Sequence, residues 1–526
     1  MCKIKFCYVA NLKKKLTHKS VLIKLFKLFP IIMPMVFQYK KNLYFVGTLK
    51  NMIQTGQNFY KFLIQKFPHK PTALQDKMLA SFSDFIFNTN LHALYLLKGY
   101  AGTGKTTVIS TIVNHLEPTG KKAVLLAPTG RAAKVLAQYA EKEAFTIHKK
   151  IYHSKRNKSG GVSFELKKNT YTHTLFFVDE ASMISDQSED LSVFKNNSVL
   201  ADLIKFVYSG AGCKLIFIGD TAQLPPVKSI VSPALDLDKL TLEYSKEITE
   251  IELTEVMRQE KTSGILDNAT ALREKINEMS TDDFLFNLHN PDTIRLIDGY
   301  EIQDAIFQSY GNESIEDTTI IVWANKRANQ YNEQIRTRIM GKEGDISSGD
   351  YVMVVKNNYY WLDDTSEAGF IANGDTCQIM SIRNRVELYG FKFAEATVKL
   401  VDYPKQQAFD VVLLLDTLSV NAPALTYEDG LKLYNEIAKD YAHLNAKYKI
   451  YQSVKEDKYY NALQVKFSYA ITCHKSQGGQ WKNVFIEKPY LPNGQNIEYW
   501  RWLYTAITRA QEKLYLIGFT DTDFIK

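Results

Sequence analysis

Cysteine is scarce in this sequence: five residues in 526, at positions 2, 7, 213, 377 and 473, with no C-x-x-C pair. That spacing excludes a disulfide-built scaffold and a four-cysteine zinc site, and a reducing, intracellular (cytoplasmic) compartment fits best. Glycine (26) and proline (14) are too few for collagen-like or low-complexity chains. Long apolar runs are missing too. The uncharged run Leu28–Tyr39 is about half of the ~20 residues that a membrane-spanning helix needs. No membrane partner is expected. Acidic residues are absent from one region altogether. Residues 1–51 hold eleven Lys and no Asp, Glu or Arg.

That region distorts the charge balance. The formal net charge is +8, and taking away the eleven lysines leaves −3 for the rest. Bulk charge is therefore no argument for nucleic-acid binding, which must come from local placement of Lys and Arg. The stretch lacks the arginines of a mitochondrial presequence. It also lacks a small-residue cleavage site after its apolar run. We expect a non-functional extension, translated upstream of a start near Met52. The alternatives are a basic amphipathic membrane or targeting helix and a folded element.

What is present is ordinary globular material: 45% hydrophobic, 12% aromatic and 23% charged residues, enough for several domains. No repeat is visible. From about residue 70, short apolar runs alternate with helical patterns. Ala93–Leu97, Ala123–Ala127, Leu175–Val178, Lys214–Ile218, Thr319–Trp323, Val484–Ile486 and Leu514–Ile517 read as buried strands. Such alternation implies parallel sheets with helices on both faces. Two segments break the rhythm. His153–Thr174, with Ser159-Gly160-Gly161 at its centre, reads as a small hairpin insertion. Residues 346–461 hold strand-like runs at Asp350–Val355, Phe370–Ile382, Lys392–Val401 and Ala408–Leu415. A charged, Tyr-rich helical stretch, Tyr427–Tyr460, follows.

Gly99-Tyr100-Ala101-Gly102-Thr103-Gly104-Lys105-Thr106 fits G-x4-GK[ST], between a strand and a helix. Glycines let backbone N–H groups wrap a phosphate at a helix N-terminus, where the dipole favours anions. Lys105 would reach the β- and γ-phosphates and Thr106 would ligand Mg²⁺. Asp179-Glu180 ends the next buried strand. Asp179 would hold Mg²⁺ and Glu180 would activate the attacking water. Gly219-Asp220-Thr221-Ala222-Gln223 follows a further strand, where Gln223 can sense a γ-phosphate or its water. Arg258 and Arg509 each follow an apolar stretch, and an Arg over a γ-phosphate stabilises the charge of phosphoryl transfer. Taken singly, the last three side chains fit surface or turn positions equally well.

In order along the chain, these segments resemble the motifs of superfamily 1B helicases of the Dda-like and RecD-like branch, with UvrD-like C-terminal motifs. Leu74-Gln75 resembles the Q motif that recognises adenine. The phosphate loop and Asp179-Glu180 match motifs I and II. Ala127-Pro128-Thr129-Gly130-Arg131-Ala132-Ala133 matches motif Ia, and Thr146-Ile147-His148 the next DNA-contacting motif. Gly219–Val227 matches motif III, and Arg258 lies in motif IV. Thr472-Cys473-His474-Lys475-Ser476-Gln477-Gly478 matches motif V, and Tyr504–Arg509 motif VI.

The resemblance implies two RecA-like α/β domains with parallel sheets, each carrying one insertion. The first would span 52–258 with the hairpin at 153–174. The second would span 259–345 and 462–526, with an SH3-like β-barrel and helical insertion over 346–461. ATP with Mg²⁺ would be held by Gln75, Gly99, Ala101, Gly102, Thr103, Gly104, Lys105, Thr106, Thr107, Gln477 and Gly478. Lys105, Asp179, Glu180, Gln223, Arg258 and Arg509 would carry the chemistry. Pro128, Thr129, Arg131, His148, Thr472, His474 and Lys475 would lie along DNA, with Phe164 in the hairpin as the strand-separating wedge. The implied activity is ATP-dependent, 5′-to-3′ unwinding of single-stranded or forked DNA in replication, recombination or repair, with single-strand-binding or replication proteins as partners. An RNA-remodelling ATPase and a nucleotide-dependent switch remain as alternatives. No acidic cluster suggests a nuclease.

Overall fold

The computed structural model describes residues 53–156, 162–187, 198–227, 229–256, 263–278, 282–312, 315–362 and 366–525. The Lys-rich extension and Arg258 lie outside the described residues, as does the Phe164 side chain.

Two helices, α1 (Gly56–Lys66) and α2 (Ala73–Phe87), precede the first strand. A capping box starts α2: Thr72 Oγ1 accepts from Gln75 N, and Gln75 Oε1 accepts from Thr72 N. β1 (Ala93–Gly99) then runs through the phosphate loop into α3 (Lys105–Asn114). β2 (Lys122–Ala127) leads into α4 (Gly130–Ala140), and β3 (Ala144–Thr146) follows. β4 (Tyr152–Arg156) and β5 (Val162–Leu166) form an antiparallel hairpin in which Ser154 stands opposite Phe164. β6 (Thr174–Val178), β7 (Lys214–Gly219) and β8 (Glu247–Leu253) complete the first sheet, in the order β3-β2-β6-β7-β1-β8. Every pairing in it is parallel.

The central strands are buried on both faces. In β1, Tyr95 and Leu97 pack with Phe82, Val108 and Ile112, whereas Leu94 and Leu96 pack with Leu203 and Phe206. A strand covered on both sides reads as an unbroken apolar run, which is why β1, β6 and β7 stand out in the sequence. The edge strands β3 and β8 do not. β3 has three residues, and β8 alternates charged and apolar side chains because one of its faces stays wet.

α5 (Gly264–Glu278) opens the second half. β9 (Thr293–Leu296), β10 (Thr318–Val322) and α6 (Asn325–Gln334) follow. Then come the strands β11 (Tyr351–Val354), β12 (Thr376–Leu388), β13 (Phe391–Leu400) and β14 (Phe409–Leu414). Two helices, α7 (Tyr427–Asp440) and α8 (Lys447–Glu456), precede β15 (Leu463–Phe467). β11 to β15 close into a five-stranded barrel. β15 lies beyond the expected end of the insertion at 461, yet it pairs with both β11 and β14 and closes the ring. The chain then returns through β16 (Ala470–Thr472), β17 (Trp481–Glu487), α9 (Ile497–Ile507) and β18 (Ala510–Ile517). These join β9 and β10 in a second all-parallel sheet, β16-β10-β17-β18-β9. Two parallel sheets with helical cover and one inserted barrel match the expected architecture.

The halves share a hydrophobic cluster. Tyr100, Ala222 and Leu224 from the first sheet's loops pack with Ile265, Trp481, Tyr504 and Ile507 of the second half. Those loops leave the carboxyl ends of β1 and β7, the edge where open α/β sheets bind ligands.

Candidate nucleotide site between the two sheets

The site is built around the turn from β1 to α3. Gly102 and Gly104 have φ of +73° and +77°. Gly104 caps α3 with no side-chain hydrogen bond, so the first N–H groups of the helix remain available to an anion. Space also requires glycine at 102: a Cβ there would meet Leu266 Cδ1 at 2.6 Å. Lys105 Nζ donates to the carbonyls of Gly99 and Tyr100, both at 2.7 Å. The ammonium is thus held folded back on its own loop. Gln75 is fully buried, and its Nε2 donates to Thr103 O at 3.0 Å. Both ends of its amide are engaged by protein, so it braces the phosphate loop from behind.

A cavity of about 710 Å³ opens at this turn. Ala101, Gly102, Gly104, Lys105, Thr106 and Thr107 line one wall. Asp179, Glu180 and Gln223 line the next, and Gly478 and Arg509 come from the second half. Burial and the Glu180 carboxylate push the Asp179 carboxyl up to about 6, against the opposing pull of the Glu180 N–H and Lys105. Asp179 Oδ1 accepts from Glu180 N at 2.9 Å. Glu180 itself is in the left-handed region, φ +51°. That conformation is rare for a non-glycine residue and marks stored strain at a site. Gln223 is 7% exposed, and its Oε1 is buried with no hydrogen-bond partner. A buried acceptor left open costs about 1–3 kcal/mol, so it awaits a donor such as a water in the cavity.

Arg509 crosses from the second half. Its Nη1 lies 3.7 Å from Glu180 Oε1. Nη1 also donates to Gly479 O, Nε to Thr505 O and Nη2 to Thr508 Oγ1. Gln477 Nε2 donates to Leu224 O at 2.7 Å, across the same seam. Gly478, with φ +73°, sits so close to α4 that a Cβ would come within 2.8 Å of Ala132 Cβ.

Sequence reasoning missed a buried link between the halves. The Tyr504 hydroxyl donates to Asp220 Oδ2 at 2.7 Å and accepts from Ala101 N at 3.0 Å. Next to it, Leu224 N donates to Thr505 Oγ1 at 2.8 Å. Burial raises both the Asp220 carboxyl and the Tyr504 hydroxyl. Arg273 of α5 also reaches across, its guanidinium 4.4 Å over the Tyr100 ring. No local pattern announces such pairs, because they join residues hundreds of positions apart.

The residues expected along DNA divide into groups. Thr472, His474 and Lys475 lie at the carboxyl end of β16, and Pro128 and Thr129 at that of β2. Thr129 Oγ1 caps α4 by accepting from Ala132 N at 3.2 Å. Arg131 has several protein partners. Its guanidinium lies 4.8 Å over the Trp481 ring, donates to Thr376 Oγ1 and approaches Asp402 at 4.0 Å. It docks α4 on the barrel and the second sheet. His148 is packed among aromatic rings. Its ring packs edge-on to Phe370 and beside Tyr152, and burial pushes its pKa down to about 4. A neutral imidazole is no cation for phosphate.

Asp179 and the Thr106 hydroxyl are hard oxygen donors, the type Mg²⁺ takes together with phosphate oxygens and water. A raised carboxylate pKa fits such a place, since a cation would offset the burial. Among the described residues, no group of three or more His, Cys, Asp and Glu could hold a metal on its own. No helix among them is long and apolar enough to cross a membrane.

Two family models match parts of the chain. Residues 87–285 match the family model of an AAA domain, and residues 467–517 that of a UvrD-like helicase C-terminal domain. Protein R530 of Acanthamoeba polyphaga mimivirus is 26% identical, over 81% of this chain and 96% of that one. The RecBCD enzyme subunit RecD of Buchnera aphidicola subsp. Schizaphis graminum is 25% identical, over 83% and 72%. The ATP-dependent DNA helicase dda of Enterobacteria phage T4 is 29% identical, over 49% and 55%. Some relatives are much longer: the match spans 38% of protein MJ1519 of Methanocaldococcus jannaschii and 22% of the RecD2 helicase of Deinococcus radiodurans. A solved Pif1 helicase from Bacteroides, with ADP-AlF3 and single-stranded DNA, aligns over 87% of this chain and 95% of that one, at TM-score 0.44 and 15% identity. Motif residues of both sheets line one cleft, an AAA-domain model matches the first half, a UvrD-like helicase C-terminal model matches part of the second, and the chain is similar to the superfamily 1B helicases RecD and Dda.

Proposed function

We propose that this chain is an ATP-dependent DNA helicase that moves 5′ to 3′ along a single strand and unwinds forked duplex. One observation carries the reading. Arg509 of the second half lies 3.7 Å from Glu180 of the first, across a cavity that the phosphate loop lines. Two domains that each supply part of an ATPase site can convert its occupancy into relative motion.

The roles follow from the geometry. The N–H groups of the phosphate loop and Lys105 take the phosphates, once Lys105 leaves the Gly99 and Tyr100 carbonyls. Thr106 and Asp179 would hold Mg²⁺, which neutralises charge on the β- and γ-oxygens when bound. Glu180 orients and deprotonates the attacking water, with Gln223 Oε1 as a second acceptor for it. Arg509 stabilises the charge that develops on the γ-phosphoryl group. Tyr504, Gln477 and Thr505 pass the state of that site to the loops after β1 and β7. Thr129, Thr472 and Lys475 hold the phosphates of the strand, a grip that carries no sequence information and so suits translocation.

The test is steady-state ATP hydrolysis with no polynucleotide, with single-stranded DNA and with RNA of equal length, followed by unwinding of forks with a 5′ or a 3′ tail. Stimulation by DNA and unwinding from the 5′ tail are expected. Equal stimulation by RNA would replace the reading with a remodelling ATPase. Unwinding from the 3′ tail alone would overturn the polarity.

A further inference from the structure

Trp323 stands at the turn from β10 to α6. Its ring is 41% exposed, an unusual position for the largest apolar side chain in a domain whose core is complete. The other four tryptophans are buried or half-buried. Trp323 packs at 5.4 Å and 45° on Trp502 of α9, which is 2% exposed. One face is therefore backed by a rigid partner, while much of the ring remains open to solvent.

The surroundings are those of a polyanion track. β10 and β16 are parallel neighbours, with Val322 opposite Thr472. Trp323 and the Thr472–Lys475 turn thus leave adjacent strands at the same edge. The turn is tied to the same support, for Cys473 Sγ donates to Trp502 O. Lys475 shares a small pocket with Asn325, Asn329 and Lys466. Burial and Lys466 hold the Lys475 ammonium down at about 8, a state that a phosphate would relieve. Asn325 thus lies two residues from an exposed aromatic ring, and Lys475 lies three residues beyond Thr472 on the neighbouring strand; cations beside an exposed ring are the combination that binds single-stranded nucleic acid.

We propose that Trp323 is a base-stacking residue of the strand track: a nucleobase lies on its open face while Lys475 holds an adjoining phosphate. The proposal deepens the helicase reading and rests on it. The stack would mark the register of the strand on the second domain without reading its sequence, since every base has a π-face.

The experiment measures equilibrium binding of full-length protein to an oligo-dT strand and to an abasic strand of equal length. The proteins are the parent, Trp323→Ala, Trp323→Phe and Lys475→Ala. Trp323→Ala should lose on the order of tenfold in affinity for oligo-dT and Trp323→Phe much less. Trp323→Ala should also be nearly indifferent to loss of the bases, to which the parent is sensitive. The salt slope of binding should stay unchanged in Trp323→Ala and shrink by about one unit in Lys475→Ala. A parent that binds oligo-dT with Trp323→Ala binding equally well would overturn the stacking role alone. A parent that binds no single strand would overturn the helicase reading and the stack with it.

Discussion

The Tyr504 hydroxyl bridges Asp220 Oδ2, at 2.7 Å, and the amide of Ala101, at 3.0 Å. One side-chain oxygen from the second sheet thus touches the loops after two strands of the first. Removing it in Tyr504→Phe leaves the buried Asp220 Oδ2 and the half-buried Ala101 N–H without this partner. Each such group costs about 1–3 kcal/mol. We expect a lower melting temperature and a tenfold or greater fall in kcat for ATP, with a smaller change in KM. A variant with the parent's kcat would show that the bridge is only packing.

Lys105→Ala removes the one side-chain cation of the phosphate loop. ATP turnover should fall below detection while affinity for single-stranded DNA stays within a few-fold, because the strand residues lie on other turns. Steady-state hydrolysis and fluorescence anisotropy separate the two. Loss of both activities in a folded variant would contradict a separate strand track.

Asp179 gives a pH signature. Its folded value of about 6 lies above the ~3.9 of an unfolded Asp. Between about pH 4 and 6 the folded state keeps a proton that the unfolded chain has released. Nucleotide-free stability therefore falls as pH rises through that window, and the penalty is complete above pH 6. Asp179→Asn should be more stable than the parent by about 1–3 kcal/mol at pH 7. The gain should vanish below pH 4. Urea unfolding at several pH values measures it, and a gain independent of pH would refute the assignment.

Arg509 is held by three protein oxygens and faces Glu180. Arg509→Ala should lower kcat roughly 10³-fold, the range found for an arginine finger, and weaken nucleotide binding far less. Arg509→Lys should recover little, because an ammonium cannot reproduce the planar fork. Single-turnover hydrolysis provides the measurement.

A structural prediction concerns the barrel root. Arg336 is 1% exposed and Asp350 0%. They pair through Nε and Nη2, and Lys342 and the Tyr469 hydroxyl add to the same carboxylate. Arg336→Ala would strand Asp350 and should cost about 3–5 kcal/mol. Loss of soluble protein at 37 °C, or a fall in denaturant midpoint of that size, checks it. A melting curve like the parent's would mean that Lys342 and Tyr469 suffice.

Much of the fold was legible because its central strands are buried on both faces. β1, β6, β7, β10 and β17 appear as apolar runs ending at Gly, Asp, Glu or Trp. The edge strands β3, β8, β9 and β16 did not, being short or half-solvated. β15 was missed as part of the barrel because its pairing is set by partners far away in the chain.

The sequence by itself determined the phosphate loop, the Asp179-Glu180 pair and the order of motifs, since those depend on residue type and close spacing beside a strand end. Tertiary structure alone decided which side chains meet across the cleft. It placed Tyr504 on Asp220 and Ala101, Arg509 near Glu180, and Arg131 over Trp481. It also buried His148 as a neutral ring and left Trp323 in solvent. Those outcomes depend on how two sheets and a barrel pack, and packing couples residues hundreds of positions apart through burial and directional hydrogen bonds that no local pattern encodes.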